Sequence, residues 1–202
     1  KYDPISHDEF FSLYSFFNNV DEDGLIGYGI TAPKPNLTIN KKDINKDLSF
    51  VNLPDSISDV TLMVMKETEN LRNTYVLNRG SYDSPTRRVK PSTPKAVLEF
   101  DNSKYPSNRI GLSKWFFDKD NPLTSRVTVN RLWQQFFGVG IVATPDDFGS
   151  QGNKPVNPEL LDWLAYTFQN KDNWDTKKFI KRLVMSSTYR QSSKVKKENR
   201  LI

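Results

Sequence analysis

The chain contains no cysteine among its 202 residues. Disulfide bonds, thiolate nucleophiles, iron–sulfur clusters and covalent attachment of haem are therefore excluded within this sequence. The absence does not indicate a cellular compartment, because exported bacterial proteins often lack cysteine too.

Histidine is almost missing as well, since His7 is the only one. A zinc site would have to be built from carboxylates, which is unusual, so no metal site is predicted. A Ser–His–Asp triad would need an activated serine beside His7, and the Gly-x-Ser-x-Gly elbow does not occur; FGSQG at residues 148–152 has the wrong spacing. His7 falls in the first turn of a predicted helix, where we expect a surface or capping residue.

Long apolar runs are also lacking. No stretch approaches the roughly 18 apolar residues that a membrane-spanning helix requires. Hydrophobic residues make up 36% of the chain, which is low, but aromatic residues make up 12% and each buries a large area. The composition predicts a folded chain with an aromatic core, and 12 prolines and 9 glycines predict many irregular connections.

The net charge of +5 is unevenly distributed. Residues 1–60 carry 10 acids and 5 bases, whereas the segment from Lys177 to the end carries 9 bases and a single acid, Glu198. A basic segment of this kind can bind nucleic acid or another anionic surface. The ordinary interpretation is a solvated face.

The N-terminal run SHDEFFSLYSFFNNV, residues 6–20, predicts a helix. Ser6 and Glu9 have the spacing of a capping box, in which each side chain bonds the other residue's backbone N–H. Apolar residues then recur at helical spacing, at Phe10, Leu13, Tyr14 and Phe17.

The following segments have weaker patterns. Residues 21–50 have no sustained period and are rich in Gly, Pro, Asn and Lys, which predicts a long connection. Two β-branched apolar runs, DVTLMVMKE at 59–67 and NTYVLNRG at 73–80, are expected to pair as strands. Residues 84–97 contain three prolines and predict extended loop, because proline breaks helices and sheet interiors.

Helical patterns dominate the C-terminal half. They predict helices in RIGLSKWFFD at 109–118, NPLTSRVTVNRLWQQFFG at 121–138, NPELLDWLAYTFQN at 157–170 and DTKKFIKRLVMSSTYRQS at 175–192. The second has Asn121 as N-cap, Pro122 in its first turn and Gly138 as its end. The predicted fold class is mainly α with a small β element (α+β), irregular and loop-rich.

One acidic run has part of the pattern of a calcium-binding loop. The run NVDEDG supplies an EF-hand's first, third, fifth and sixth positions through Asn19, Asp21, Asp23 and Gly24. Position twelve needs a bidentate glutamate and is Ile30, so an ordinary acidic turn is the preferred interpretation.

Four carboxylates are the candidate catalytic residues. Asp146 and Asp147 follow the helix at 121–138, and Glu159 and Asp162 lie three residues apart on one helix face. Two carboxyl groups across a cleft can hydrolyse a glycoside. The alternative is that they fill a turn and a helix first turn, and we favour it.

Candidate binding residues cluster in the same run. Arg126, Asn130 and Gln134 are four residues apart and share a helix face, with Arg131 and Trp133 beside it. Together with Arg79 upstream, these residues suit a carboxylate, sugar or phosphate ligand. In the slightly preferred structural interpretation, Arg126 and Asn130 bond carbonyls of the following loop and Asp146 or Asp147. Five other residues of the helix are core candidates: Leu123, Val127, Leu132, Phe136 and Phe137.

Long ordered motifs also resemble a known family. The run NPLTSRVTVNRLWQQFFGVGIVATPDDFG, then KPVNPELLDWLAYTF and FIKRLVMSSTYRQSS, resembles the Planctomycete-type PSD domain, domain of unknown function 1553. Residues 63–94 resemble the entry to that domain. KYDPISHDEFFSLYSFFNNVDEDG resembles the end of the PSCyt cytochrome-associated domain, domain of unknown function 1549.

The resemblance implies three regions: a PSCyt-like end at 1–30, a linker at 31–58 and a PSD-like domain at 59–202, truncated at its C-terminus. It implies a piece of a larger exported protein of the bacterial envelope or periplasm. No cofactor is expected within this chain, but a c-type haem can be attached upstream. Family members often carry histidines where this chain has Gln135 and Phe136, so any ligand role of those histidines is absent here.

The resulting prediction is a scaffold or binding module of a multidomain, c-haem-associated envelope protein. Its expected partners are neighbouring domains of the same polypeptide and polysaccharide. The aromatic residues Phe10, Phe11, Tyr14 and Phe17 of the N-terminal helix can pack against a haem segment, but ordinary core packing is the preferred interpretation. The alternative is a carbohydrate-active enzyme that uses the four carboxylates. A third hypothesis, binding of nucleic acid or an anionic surface by the basic segment, is the least expected.

Overall fold

A computed structural model describes residues 4–22, 32–47, 54, 59–192 and 194. The chain divides into two compact units, the first formed by residues 1–10 and 92–202 and the second by residues 11–91. The predicted regions 1–30, 31–58 and 59–202 are defined by resemblance and not by contacts, so they stay predictions. Over the described ranges the chain is mainly helical with two small antiparallel sheets, which confirms the predicted fold class.

The second unit contains both sheets. β1 (Asn36–Asn40) pairs with β2 (Asp59–Met63), and β3 (Thr74–Leu77) pairs with β4 (Pro85–Val89). A short helix, α2 (Lys41–Asp47), follows β1 directly.

The expected pairing of the runs at 59–67 and 73–80 is wrong, because each run pairs with a segment predicted to be irregular. β1 and α2 lie in the predicted connection at 21–50, and β4 lies in the proline-rich loop at 84–97. Pro85 is compatible with β4 because it occupies the first position of the strand, where its missing N–H is tolerated.

The N-terminal helix, α1 (His7–Tyr14), is shorter than the predicted run to residue 20. Its capping box is confirmed: Ser6 N donates to Glu9 Oε2 at 2.8 Å, and Glu9 N donates to Ser6 Oγ at 3.2 Å. Phe11 is buried, whereas Phe10 and Tyr14 are about half exposed.

The first unit is built from α3 (Arg109–Phe116), α4 (Pro122–Phe137), α5 (Pro158–Tyr166), a π-helical turn at Thr167–Lys171 and α6 (Thr176–Val184). Each α-helix begins at a side-chain N-cap, respectively Asn108, Asn121, Asn157 and Asp175. The predicted end of α4 is also confirmed, since Gly138 has a φ of 82°.

α6 is shorter than predicted, ending at Val184 rather than near residue 192. Ser186 Oγ donates to Leu183 O at 2.6 Å, so a serine hydroxyl competes for a backbone carbonyl where the helix would otherwise continue. Apolar periodicity alone does not show this competition.

The core of the first unit lies between α4, α5, the π-helical turn and α6. Its buried residues are Val129, Ile141, Val142, Leu161, Leu164, Phe168, Phe179 and Leu183. The rings of Phe168 and Phe179 meet at 63° with centroids 5.2 Å apart. The core residues predicted on α4 are only partly correct. Leu132, Phe136 and Phe137 pack at the margin of this core, whereas Val129, which was not predicted, is the α4 residue fully buried in it.

None of the helices in the described ranges combines the length and the apolar character needed to cross a membrane.

Candidate functional site

The first unit contains a groove of about 570 Å³, within the usual size range of ligand pockets. Its walls are mainly apolar with a few charged groups at one side, the usual composition of a binding site. The lining residues are Pro4, Ile5, Ala96, Val97, Pro122, Leu123, Arg126, Asp146, Asp147, Phe148 and Gly149.

Two walls of the groove are set by local hydrogen bonds. Glu9 Oε1 accepts from the backbone N–H of Lys95 at 2.9 Å, which ties the N-terminal segment to the chain beside Ala96. At the start of α4, Asn121 Oδ1 accepts from Leu123 N at 3.0 Å and fixes the turn that presents Leu123 to the groove.

The third wall is the loop between α4 and α5, and Asn130 holds its base. Asn130 Nδ2 donates to Val142 O at 2.9 Å, and Asn130 Oδ1 accepts from Val142 N at 2.8 Å. Asn130 is fully buried, so these bonds satisfy groups that water does not reach. Gly140 is required beside them, because a Cβ there would lie 2.4 Å from Val142 O and 2.7 Å from Asn130 Nδ2.

Thr144 organises the outer part of this loop. Its hydroxyl donates to Asp147 O at 2.9 Å and accepts from Asn153 N at 2.9 Å. Asp147 Oδ1 in turn accepts from Gly149 N at 2.8 Å, as aspartate commonly does in turns. The wall at residues 146–149 is therefore bonded internally.

Ion pairs occupy the charged side of the groove. Arg126 Nε donates to Asp162 Oδ1 at 2.7 Å, and Arg126 also donates to Pro122 O. Arg131 Nη2 donates to Asp146 Oδ1 at 3.0 Å, with the Asp146 side chain 87% exposed. Both basic side chains are thus paired, whereas only one oxygen of Asp147 accepts a hydrogen bond from the described residues.

The predicted site residues are only partly brought together. Arg126, Asp146 and Asp147 line the groove, and Asp162 and Arg131 pair with two of them. Trp133 instead stacks on Phe137 with ring centroids 4.0 Å apart. Glu159 is exposed in the first turn of α5, and Arg79 is exposed in the second unit, in the connection from β3 to β4.

The structural interpretation of the helix face is half correct. Asn130 bonds the following loop as predicted. The expected bond from Arg126 to that loop is wrong, because Arg126 reaches α5, and Arg131 makes the pair with Asp146. Arg131 follows Asn130 on the helix, so residue spacing alone did not decide which arginine reaches the loop.

A buried polar cluster, which the sequence pattern does not predict, surrounds Asp118. Lys104 and Tyr105 both donate to Asp118 Oδ2, and Asp120 N donates to Asp118 Oδ1 at 2.8 Å. Burial by itself raises the pKa of the Asp118 carboxyl, but the hydrogen bonds from Lys104 and Tyr105 outweigh it and lower the pKa to about 2. Burial, and then the bond to Asp118, raises the pKa of the Tyr105 hydroxyl.

The Asp118 cluster makes stability depend on acidic pH. Because the folded pKa of about 2 lies below the ordinary value of 3.8, the unfolded chain takes up the proton first. The contribution of Asp118, about 2 kcal/mol, is complete above about pH 5 and is lost as the pH falls through 3.8 toward 2. The stability difference between the wild-type protein and Asp118→Asn, measured by urea unfolding, is therefore expected to shrink as the pH falls from 6 to 2.5. A pH-independent difference would contradict this assignment, and exposed Asp120→Asn is the control.

A second missed ion pair lies at the end of α6. Arg182 Nη2 donates to both oxygens of buried Asp172, at 2.7 and 2.8 Å. The Arg182 guanidinium also lies over the ring of Trp163, 5.7 Å from its centroid. Ten residues separate the two charges, so no local spacing rule signals the pair.

No metal site emerges in the part of the chain that the structure describes, since no group of three or more His, Cys, Asp or Glu side chains is arranged to hold an ion there. Of the candidate calcium loop, Asp23, Gly24 and Ile30 lie outside the described residues. Asn19 lies inside them, and its Oδ1 accepts from Arg72 N at 2.8 Å.

One known family matches the C-terminal part of the chain. Residues 108–201, just under half of the sequence, match the family model PSD1, a protein of unknown function (DUF1553). This confirms the resemblance to PSD for that segment. The resemblance of residues 63–94 to the entry of the domain, and that of the N-terminal segment to PSCyt, stay predictions. No curated protein and no solved structure matches the chain.

Proposed function

We propose that the chain, which contains a PSD1 domain of unknown function at residues 108–201, is a non-catalytic binding module of a larger protein. Its groove holds an extended segment of a neighbouring domain of the same polypeptide. That segment carries apolar side chains and one Lys or Arg. The groove itself carries the proposal. Its walls are mainly apolar and are held by hydrogen bonds, and the Asp147 carboxylate accepts only one hydrogen bond, from Gly149 N, among the described residues.

The charges of the groove support this choice of occupant. Arg126 and Arg131 are neutralised by Asp162 and Asp146, whereas Asp147 faces the groove without a basic partner among the described residues. An apolar segment gains from leaving water in such a groove, and its basic group gains from pairing with Asp147.

The enzyme alternative has less support. A pair of catalytic carboxyl groups must face one cleft with free oxygens. Here Asp146 and Asp162 are held in ion pairs, so Asp147 is the single groove carboxylate without one among the described residues, and no second carboxylate is left to act with it. The ion pairs of Asp146 and Asp162 instead fit a structural role, in which they link α4 to the following loop and to α5.

The proposal also covers the larger protein to which this chain belongs. The resemblance of the N-terminal segment to PSCyt supports an exported, c-haem-associated protein of the bacterial envelope, with the haem on a preceding part of the polypeptide. The present chain supplies binding surface and no point of covalent haem attachment, since it has no cysteine.

The absence of cysteine allows a direct test of the groove. We expect the thiol of Leu123→Cys to react with a maleimide in the isolated chain and at least about ten times more slowly in the intact protein purified from its host, because the segment then covers it. Peptide-level mass spectrometry measures labelling at this position alone. Asp147→Asn is expected to restore part of the reactivity by weakening the segment's ion pair.

The control for this experiment is Val156→Cys, because Val156 is 83% exposed and does not line the groove. Its thiol should react equally in both proteins. Equal labelling of Leu123→Cys in both would contradict the proposed occupant. The reduced-minus-oxidised absorbance spectrum of the same preparation tests the haem separately, and a haem-free protein would contradict only that part of the proposal.

A further inference from the structure

The outward side of α5 carries a row of exposed aromatic and polar residues that the proposed function does not use. Glu159, Trp163 and Tyr166 are exposed and lie four and three residues apart, so they follow one face of the helix. Asn170, in the π-helical turn that continues α5, lies beside them, because its Nδ2 donates to Tyr166 O at 3.1 Å. These four residues form the α5 stripe, and none of them lines the groove.

The two aromatic side chains of the stripe are accessible to a ligand. Trp163 is 50% exposed and Tyr166 is 59% exposed, although rings of this size stabilise a fold most when they are buried. Side chains at this spacing on a helix have Cβ atoms about 5–6 Å apart, so the two are neighbours on the surface. Two adjacent exposed aromatic side chains form a surface suited to binding.

The Trp163 ring is supported before any ligand binds. The Arg182 guanidinium lies over this ring, 5.7 Å from its centroid. Arg182 Nη2 in turn donates to both carboxylate oxygens of buried Asp172, at 2.7 and 2.8 Å. Because Asp172 fixes Arg182 and Arg182 packs on Trp163, the indole has less conformational freedom to lose on binding.

The composition of the exposed face favours one kind of occupant. The leucines of α5 do not reach this face: Leu161 and Leu164 are buried and Leu160 is half-buried. A protein partner usually requires a larger apolar patch than two rings flanked by polar side chains. A polyanion is disfavoured as well, because Asp172 neutralises Arg182 and no basic group within the described ranges pairs with Glu159.

We propose that the α5 stripe binds a neutral polysaccharide. The C–H face of a pyranose ring is apolar and packs flat on an aromatic ring, while the hydroxyl groups at its edge form hydrogen bonds. Trp163 and Tyr166 supply rings for successive sugar units. The Glu159 carboxylate accepts from sugar hydroxyls at one end, and Asn170 Oδ1, which accepts from none of the described residues, does so at the other.

Electrophoresis of the chain in native gels that contain hydroxyethyl cellulose, galactomannan or xylan tests this surface. We expect at least one of these neutral polysaccharides to retard the chain. Trp163→Ala and Tyr166→Ala should each raise the dissociation constant, obtained from retardation against polysaccharide concentration, by at least about tenfold. Trp163→Phe, which keeps a smaller ring, should lose less. Sodium chloride should not weaken binding, because a neutral polymer forms no ion pair with the stripe.

Tyr82→Ala is the matched control, because Tyr82 is 90% exposed and lies in the second unit, outside the stripe. It should leave the retardation unchanged, and circular dichroism confirms that each variant is folded. Absence of retardation in all three gels, or equal loss in Tyr82→Ala and the stripe variants, would overturn the proposal.

A protein occupant is the competing outcome, and labelling of Glu159→Cys distinguishes it. In the intact protein without polysaccharide, the thiol should react with a maleimide as fast as in the isolated chain. A saturating amount of the retarding polysaccharide should slow the reaction in both. Slow labelling of the intact protein without polysaccharide would show that a neighbouring domain covers the stripe, and would overturn this proposal without affecting the test of the groove at Leu123→Cys.

Discussion

Phe179→Ala is expected to lower the free energy of unfolding by about 4 kcal/mol, the typical cost of removing a fully buried aromatic side chain. Phe179 has no exposed surface, and its ring meets Phe168 at the centre of the core of the first unit. Alanine would remove the buried ring and leave a cavity that the surrounding helices fill only in part. A domain stable by only about 5–15 kcal/mol would lose a large fraction of its stability.

Urea unfolding followed by circular dichroism at 222 nm measures this loss. Lys177→Ala is the control, because Lys177 is exposed on the same helix and its replacement should change stability by less than about 0.5 kcal/mol. A loss of under about 1 kcal/mol for Phe179→Ala would contradict the packing described for this core.

Asn130→Ala is expected to cost about 3 kcal/mol, because it leaves both backbone groups of Val142 without partners in a buried position. Asn130→Asp should be at least as damaging, since it replaces the donor toward Val142 O with an oxygen and places a charge where no surface is exposed. Both changes act on the groove wall as well as on stability.

The same unfolding measurement applies, with exposed Gln135→Ala as the control on the same helix. Hydrogen exchange at the Val142 amide adds a local measurement, because its N–H is expected to lose protection in both Asn130 variants. Unchanged stability and unchanged protection in Asn130→Ala would show that other groups or water replace the side chain.

The helices of the first unit could be predicted because their signals are local. Asn121 and Asn157 precede prolines, and Gly138 ends α4 in a conformation that glycine adopts readily. Each of these signals acts within a turn or two of its own residue. The end of α6 at Val184 was missed because a serine hydroxyl, not proline or glycine, competes for the backbone there.

The strand pairing of the second unit could not be predicted in the same way. Pairing is decided by contacts between distant segments, and β1 has the unremarkable sequence NLTIN. The hydroxyl oxygens of Thr38 and Thr61 lie 3.1 Å apart and form a hydrogen bond across β1 and β2. No local pattern around either threonine indicates this partner. Apolar patterning therefore predicts that the runs at 59–67 and 73–80 pair with each other, whereas in the structure they pair with β1 and β4.

The candidate site was predictable where it depends on one helix and one loop. The spacing of Arg126 and Asn130 marked a polar face of α4, and the acids after Gly138 were expected to interact with it. The rest of the groove depends on tertiary folding, which brings in Pro4, Ile5, Ala96 and Val97. The hydrogen bonds from Lys104 and Tyr105 to Asp118 depend on it as well. Such long-range contacts have no periodic signal.

The bonds that hold the loop after α4 have a consequence for the energetics of recognition. A ligand that orders a mobile loop must offset roughly 1–2 kcal/mol of backbone conformational entropy for each residue it fixes. Here Asn130 anchors the loop at Val142, and Thr144 ties Asp147 to Asn153 before any ligand arrives. The wall of the groove is thus preorganised, and more of the interaction energy of an occupant remains available as affinity.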